Sequence, residues 1–178
     1  MLGSTTGEKE ARGFLTDRNL PGLHPPEMAS PDLRIGRVSM HGHYYAVTFV
    51  VAGRRKVFLA ADRARRMAHE LRPGAAGLRF EPLTWTVMPD HVHLLMQLAT
   101  TPLSRCMQVL KSRTSRLVRA GSLEQGGLWQ AGYYDHCLRG DEDLRLQARY
   151  ILENPVRAGI VESPRDYPYS WSLWGLDV

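Results

Sequence analysis

The sequence predicts an α+β domain: an antiparallel sheet in β-α-β-β-α-β order, with one more helix after it. Three observations carry this reading. Runs rich in β-branched, aromatic and apolar residues lie at 43–51, 78–87, 91–98 and 133–139; each has the length of a strand and is bounded by turn residues. Residues 60–72, 102–120 and 141–154 instead place apolar side chains at helical spacing. Met88-Pro89-Asp90 joins the second and third strands as a hairpin, because proline presets one backbone angle and aspartate accepts turn geometry readily. This order is the ferredoxin-like arrangement, with helices on one face and the first and third strands as central neighbours.

A chain of 178 residues, 43% of them hydrophobic, is large enough to bury a proper core as one domain. We read residues 1–36 as a flexible arm, since Pro21-Gly22 and Pro25-Pro26 interrupt any regular element. Residues 37–178 form the single folded domain. No apolar run is long enough to span a bilayer and no signal segment opens the chain. Only Cys106 and Cys137 occur, outside any metal-binding spacing, so the expectation is a reduced, cytoplasmic protein. A net charge of +5 and a pI near 9.5 favour a polyanionic partner, most simply nucleic acid.

In order, the aromatic and β-branched run 43–51 is the first strand, which Gly53 helps to end. His41 and His43 stand where that strand is still entering from the arm, and Arg54-Arg55-Lys56 follows as a basic turn. The first helix buries Ala64, Met67, Ala68 and Leu71, and Pro73-Gly74 ends it. Pro82 marks the second strand as an edge or a bulge. The second helix offers Leu103, Met107, Leu110, Leu117 and Val118 to the core. It carries Arg105, Lys111, Arg113, Arg116 and Arg119 with no acidic residue, the electrostatic footprint of phosphate contact. Asp141-Glu142-Asp143 suits the N-terminus of the third helix, and Pro155 stops that helix. Tyr167, Tyr169, Trp171 and Trp174 make an aromatic tail that packs back on the body.

The chemistry gathers on the third strand. Side chains alternate across a strand, so His91, His93, Leu95 and Gln97 share one face, and Val92, Leu94, Met96 and Leu98 the other. Two imidazoles one strand repeat apart can reach a single metal ion. On the third helix, Leu144, Ala148, Ile151 and Leu152 form the buried stripe, and Gln147, Tyr150 and Asn154 form a second stripe beside it. Tyr150 and Asn154, four residues apart, share a face, so a helix docked on the sheet presents a phenol and an amide beside the histidines.

Met88-Pro89-Asp90-His91-Val92-His93-Leu94-Leu95, with Ala148-Arg149-Tyr150-Ile151-Leu152-Glu153-Asn154-Pro155-Val156-Arg157-Ala158-Gly159-Ile160-Val161 downstream, resembles the single-tyrosine HUH transposases of the IS200-like superfamily. The branch it is most similar to is the REP-associated tyrosine transposases, and the resemblance covers residues 38–172. It implies a metal site at His91 and His93, Tyr150 as nucleophile and Asn154 as the polar residue completing the metal site. It also implies a substrate of single-stranded or hairpin DNA of the repetitive extragenic palindrome type, a covalent 5′-phosphotyrosine and a freed 3′ hydroxyl. By the same resemblance the protein is a nucleoid-associated DNA strand transferase, working as a monomer or a homodimer. Asp90 departs from the pattern, in which asparagine is commoner. His136 has no assigned role.

The residues support this chemistry on their own terms. A divalent cation beside a scissile phosphate stabilises its developing charge. A phenol, with a free pKa of about 10, needs a neighbouring cation or base to act as a nucleophile. Mixed nitrogen and oxygen ligation suits manganese or magnesium and also admits zinc. Three alternatives stand beside it. A water-using metallo-phosphodiesterase on the same histidines usually shows a third alternate histidine, where this chain has Leu95. A non-catalytic RNA-binding module would stack bases on Tyr44 and Tyr45, although no RNP1 pattern accompanies them. A domesticated, inactive transposase would persist as a DNA binder.

Overall fold

The computed structural model describes residues 40–75, 77–118, 126–138 and 144–178. The arm at 1–36, Arg119 and the acidic triplet at 141–143 lie outside them. Among the described residues the strands and α-helices follow in chain order: β1 (Tyr44–Val50), α1 (Ala61–Glu70), β2 (Phe80–Val87), β3 (His91–Leu98), α2 (Leu103–Val118), β4 (Tyr134–Leu138), α3 (Leu144–Leu152), a single turn α4 (Asn154–Arg157) and β5 (Ser170–Ser172). The strands form one antiparallel sheet in the order β4-β1-β3-β2-β5. The α+β ferredoxin-like order is as expected, and the histidine strand β3 lies in the middle of the sheet.

The pleat of β3 divides the core in two. Val92, Leu94, Met96 and Leu98 are at most 1% exposed and face α1 and α2. From α1 this layer takes Ala64, Met67 and Ala68; from α2 it takes Leu103, Cys106, Met107, Leu110 and Val118. Leu117 is 38% exposed rather than buried, and Thr114 takes the inward position. Thr114 can do so because its hydroxyl donates to the Leu110 carbonyl at 2.8 Å and accepts from the Trp129 indole at 3.0 Å. Leu95, on the other pleat, packs with Ala46, Leu83, Ala148 and Ile151. So α1 and α2 cover one face and α3 the opposite one, the face of the histidines. Cys106 is buried, which pushes its thiol up to about 11, and Cys137 is half-buried.

Three local features sharpen or correct the expectation. Pro82 sits at a register shift between Pro82 and Thr84, so it marks a bulge; β2 is no edge, because β5 pairs with Thr84–Thr86 beyond it. The aromatic tail does pack back, but it does so partly as that fifth strand. Tyr167 anchors it, donating its buried hydroxyl to the Val87 carbonyl at 2.7 Å. Finally, Pro155 does not end the helical path. It occupies the first turn of α4, where a missing N–H costs nothing, and the actual break is at Glu153.

Candidate active site

The β2–β3 hairpin places the histidines at one end of the sheet's central strand. Val87 pairs with Val92, and Met88 donates its N–H to the His91 carbonyl at 2.8 Å. In the antiparallel register Thr48, His93, Thr86 and Ser170 lie in one row, and His91 stands opposite Val50. His93 is 8% exposed and His91 half-buried. Their Nε2 atoms converge to 3.0 Å, with the rings edge to face.

The outer nitrogens explain that convergence. His91 donates its Nδ1–H to Oδ1 of Asp90 at 2.5 Å, and the other carboxylate oxygen accepts from Arg54 at 3.3 Å. A carboxylate only accepts, so neutral His91 has its proton on Nδ1 and a bare Nε2. Burial raises the Asp90 pKa, but the His91 hydrogen bond and Arg54 outweigh it and hold the carboxyl below its usual range. Thr48 Oγ1 lies 2.9 Å from Nδ1 of His93. A hydroxyl donates or accepts, so His93 can take either tautomer. With Thr48 donating, the His93 Nε2–H points at the bare nitrogen of His91; with Thr48 accepting, both Nε2 lone pairs face one point and need a cation between them. Two ligands about 2.1 Å from one ion stand roughly 3.0–3.4 Å apart, so the pair fits a metal as it stands.

Burial is the main cause holding both imidazoles neutral. It lowers His91 against the opposing pull of Asp90. It lowers His93 well below the ordinary value, with further contributions from His91 and from Arg157. Neutral imidazole is the metal-binding form.

α3 crosses β2 and β3 on this face and carries Tyr150, and Asn154 opens α4 just after it. Asn154 donates Nδ2 to the carbonyls of Tyr150 and Ile151, both at 3.1 Å. With the amide nitrogen taken, Oδ1 is the atom left for another partner. Among the described residues no group of three His, Cys, Asp or Glu side chains is arranged to hold a metal. The third ligand the sequence proposed is the amide oxygen of Asn154, a residue type outside that set. His41 and His43 bond to the Ala99 and His41 carbonyls beyond the far end of β1, at least seven residues or roughly 23 Å along the strands from His91. His136 faces Ala46 on β4, two strands from β3, or about 10 Å away.

The basic residues of α2 stand elsewhere. The sheet separates that helix from the histidines, since α2 packs on the opposite pleat. Lys111 donates to the Gln130 and Gly132 carbonyls at 2.7 and 2.5 Å. Arg113 pairs with the buried Glu70 at 2.5 Å and ties α2 to α1. Arg105 reaches Gln108 at 2.7 Å, and both Arg105 and Arg116 are exposed. The sequence reading gave no role to Thr48, Arg54 or Arg157, and read Asp90 only as a turn former. An acidic residue directly before His91 was the one available signal; the other contacts depend on register and on the α3–α4 turn.

The model of the family described as Transposase IS200 like matches residues 39–154. The chain belongs to the IS200-like transposases. Its relatives lie in the REP-associated tyrosine branch. It is 30% identical over 140 residues, 72% of this chain and 79% of the other, to a Haemophilus influenzae protein assigned as a REP-associated tyrosine transposase. To the REP-associated tyrosine transposase of Escherichia coli it is 32% identical over 94 residues, 51% of this chain and 53% of that one. A solved REP-associated tyrosine transposase bound to a REP hairpin shares the fold, with a TM-score of 0.57 and 24% identity over 75% of this chain and 79% of that chain. An IS200-like transposase is a DNA-processing enzyme, and among the described residues no helix is long and apolar enough to cross a membrane.

Proposed function

We propose that this transposase cuts and rejoins single-stranded DNA beside a hairpin, using Tyr150 as nucleophile in a site that holds manganese or magnesium. The observation that carries the reading is the pair of Nε2 atoms at 3.0 Å on a central strand, with the outer nitrogens engaged by Asp90 and Thr48. His91, His93 and the free oxygen of Asn154 would hold the ion, which supplies Lewis-acid stabilisation of charge on the phosphate.

In the cutting step, the Tyr150 oxygen bonds to phosphorus and the bond from phosphorus to the 3′ oxygen breaks. The phenolic proton leaves to solvent or a base, and the departing 3′ oxygen takes a proton. A 5′-phosphotyrosine and a 3′ hydroxyl result. Attack of another 3′ hydroxyl on that linkage restores Tyr150 and joins new ends, so no bond energy is lost to water. The relative solved with a REP hairpin supports a hairpin as the element recognised here. Exposed Arg105 and Arg116 on α2 would meet phosphates on the other side of the sheet.

The test is incubation of labelled hairpin-bearing single-stranded DNA with manganese or magnesium, resolved on a denaturing gel. Wild type should form a metal-dependent covalent adduct, and Tyr150→Phe none. Cleavage that persists in Tyr150→Phe without an adduct would instead establish water as the nucleophile.

A further inference from the structure

We propose that Arg157 is the positioning residue of the Tyr150 nucleophile, gripping its ring and its backbone together; this rests on Tyr150 being the nucleophile. The guanidinium carbon lies 3.9 Å over the centre of the Tyr150 ring. From the same group, Nη2 donates to the Tyr150 carbonyl at 2.7 Å, and Nη1 reaches Glu153 at 3.4 Å. Planar and forked, an arginine can stack on an aromatic face and donate at its edge at once.

The turn that carries Arg157 is itself held. Ala158 donates to the Asn154 carbonyl at 2.9 Å, and Pro155 is buried. The Tyr150 carbonyl lies in the last turn of α3, where helical donors run out. It receives Asn154 from one side and Arg157 from the other. A simple helix cap needs only that carbonyl. The fold back over the half-exposed ring is additional, and it restricts a side chain that would otherwise sample several rotamers. Arg157 also lies close enough to His93 for its charge to be felt there.

Displacement of a reacting group by about 1 Å lowers rates by up to 100-fold. Arg157→Ala should therefore slow adduct formation at saturating DNA by about 10- to 100-fold. DNA affinity, read in the Tyr150→Phe background, should change by less than about twofold. Arg157→Lys keeps the charge but lacks the planar fork, and should recover only a small part of the rate. Millimolar guanidinium should speed Arg157→Ala saturably, where methylammonium does not. Glu153→Gln, which leaves the stack in place, should stay near the wild-type rate, and thermal melts of each variant check folding.

Adduct formation by Arg157→Ala at the wild-type rate would overturn the proposal while leaving Tyr150 as nucleophile. So would a loss confined to DNA affinity, which would make Arg157 a phosphate contact, or full activity in Arg157→Lys. Cleavage by Tyr150→Phe would instead remove the nucleophile assignment, and this proposal with it.

Discussion

Asp90 is the sharpest test of the proposed metal site, because its carboxylate is the group that engages the outer nitrogen of His91. Its two oxygens join His91 at 2.5 Å and Arg54 at 3.3 Å, and the His91 and Asp90 side chains are only 18% and 19% exposed. Removing a carboxylate that orients a ligand histidine lowers metal affinity about 10- to 100-fold, or about 1.4–2.8 kcal/mol. Asp90→Ala should show that loss. Asp90→Asn can still accept from Nδ1, but a neutral acceptor is about half as strong, so a loss of about three- to tenfold is expected. Protonation of His91 is not the cause. Burial lowers the His91 pKa, Asp90 raises it and Arg54 lowers it, so without Asp90 the imidazole is held neutral more firmly. The assay is calorimetric titration with Mn²⁺ at about pH 7.5, on wild type, both Asp90 variants and His91→Ala. Wild-type affinity in Asp90→Ala, when His91→Ala has lost binding, would refute the orienting role. Unchanged affinity in His91→Ala would refute the site.

Two further outcomes follow from the same geometry and its neighbourhood. Burial holds His93 well below the usual 6.5, so between its folded pKa and 6.5 the unfolded chain binds a proton that the metal-free folded chain does not. Its contribution to stability is complete above pH 6.5 and declines as pH falls below that value. The urea midpoint of metal-free protein should drop more between about pH 7.5 and about pH 5.5 in wild type than in His93→Gln, and equal drops would contradict the assignment. Tyr167→Phe should lower unfolding stability by about 1–2 kcal/mol, since the buried Val87 carbonyl loses its phenolic donor; an unchanged denaturation midpoint would show that water replaces it.

Much of this protein was determined by local pattern, and the rest by what lies across the sheet. The order of strands and helices is legible because β-branched alternation and helical stripes are properties of adjacent residues. The same holds for the shared face of His91 and His93, which needs only the strand's period of two; Tyr150 and Asn154, read as one helical face, meet instead across the break at Glu153. What the sequence could not state is which non-local atoms meet. Three residues, Ser170–Ser172, are too few to show alternation, so β5 emerged only from its pairing with β2. Pro155 read locally as a stop and is instead the start of a turn, since a proline ring tolerates a first turn and only tertiary packing chooses between the two. Arg113 and Lys111 read as phosphate contacts, yet Glu70 and the Gln130 and Gly132 carbonyls give them structural partners. Thr48 reaches His93 across 45 residues and Arg54 reaches Asp90 across 36. Residue identity sets which groups can bind a proton, a metal or a phosphate; strand register and helix docking set the distances, and those long-range contacts decide which of the candidates stand together.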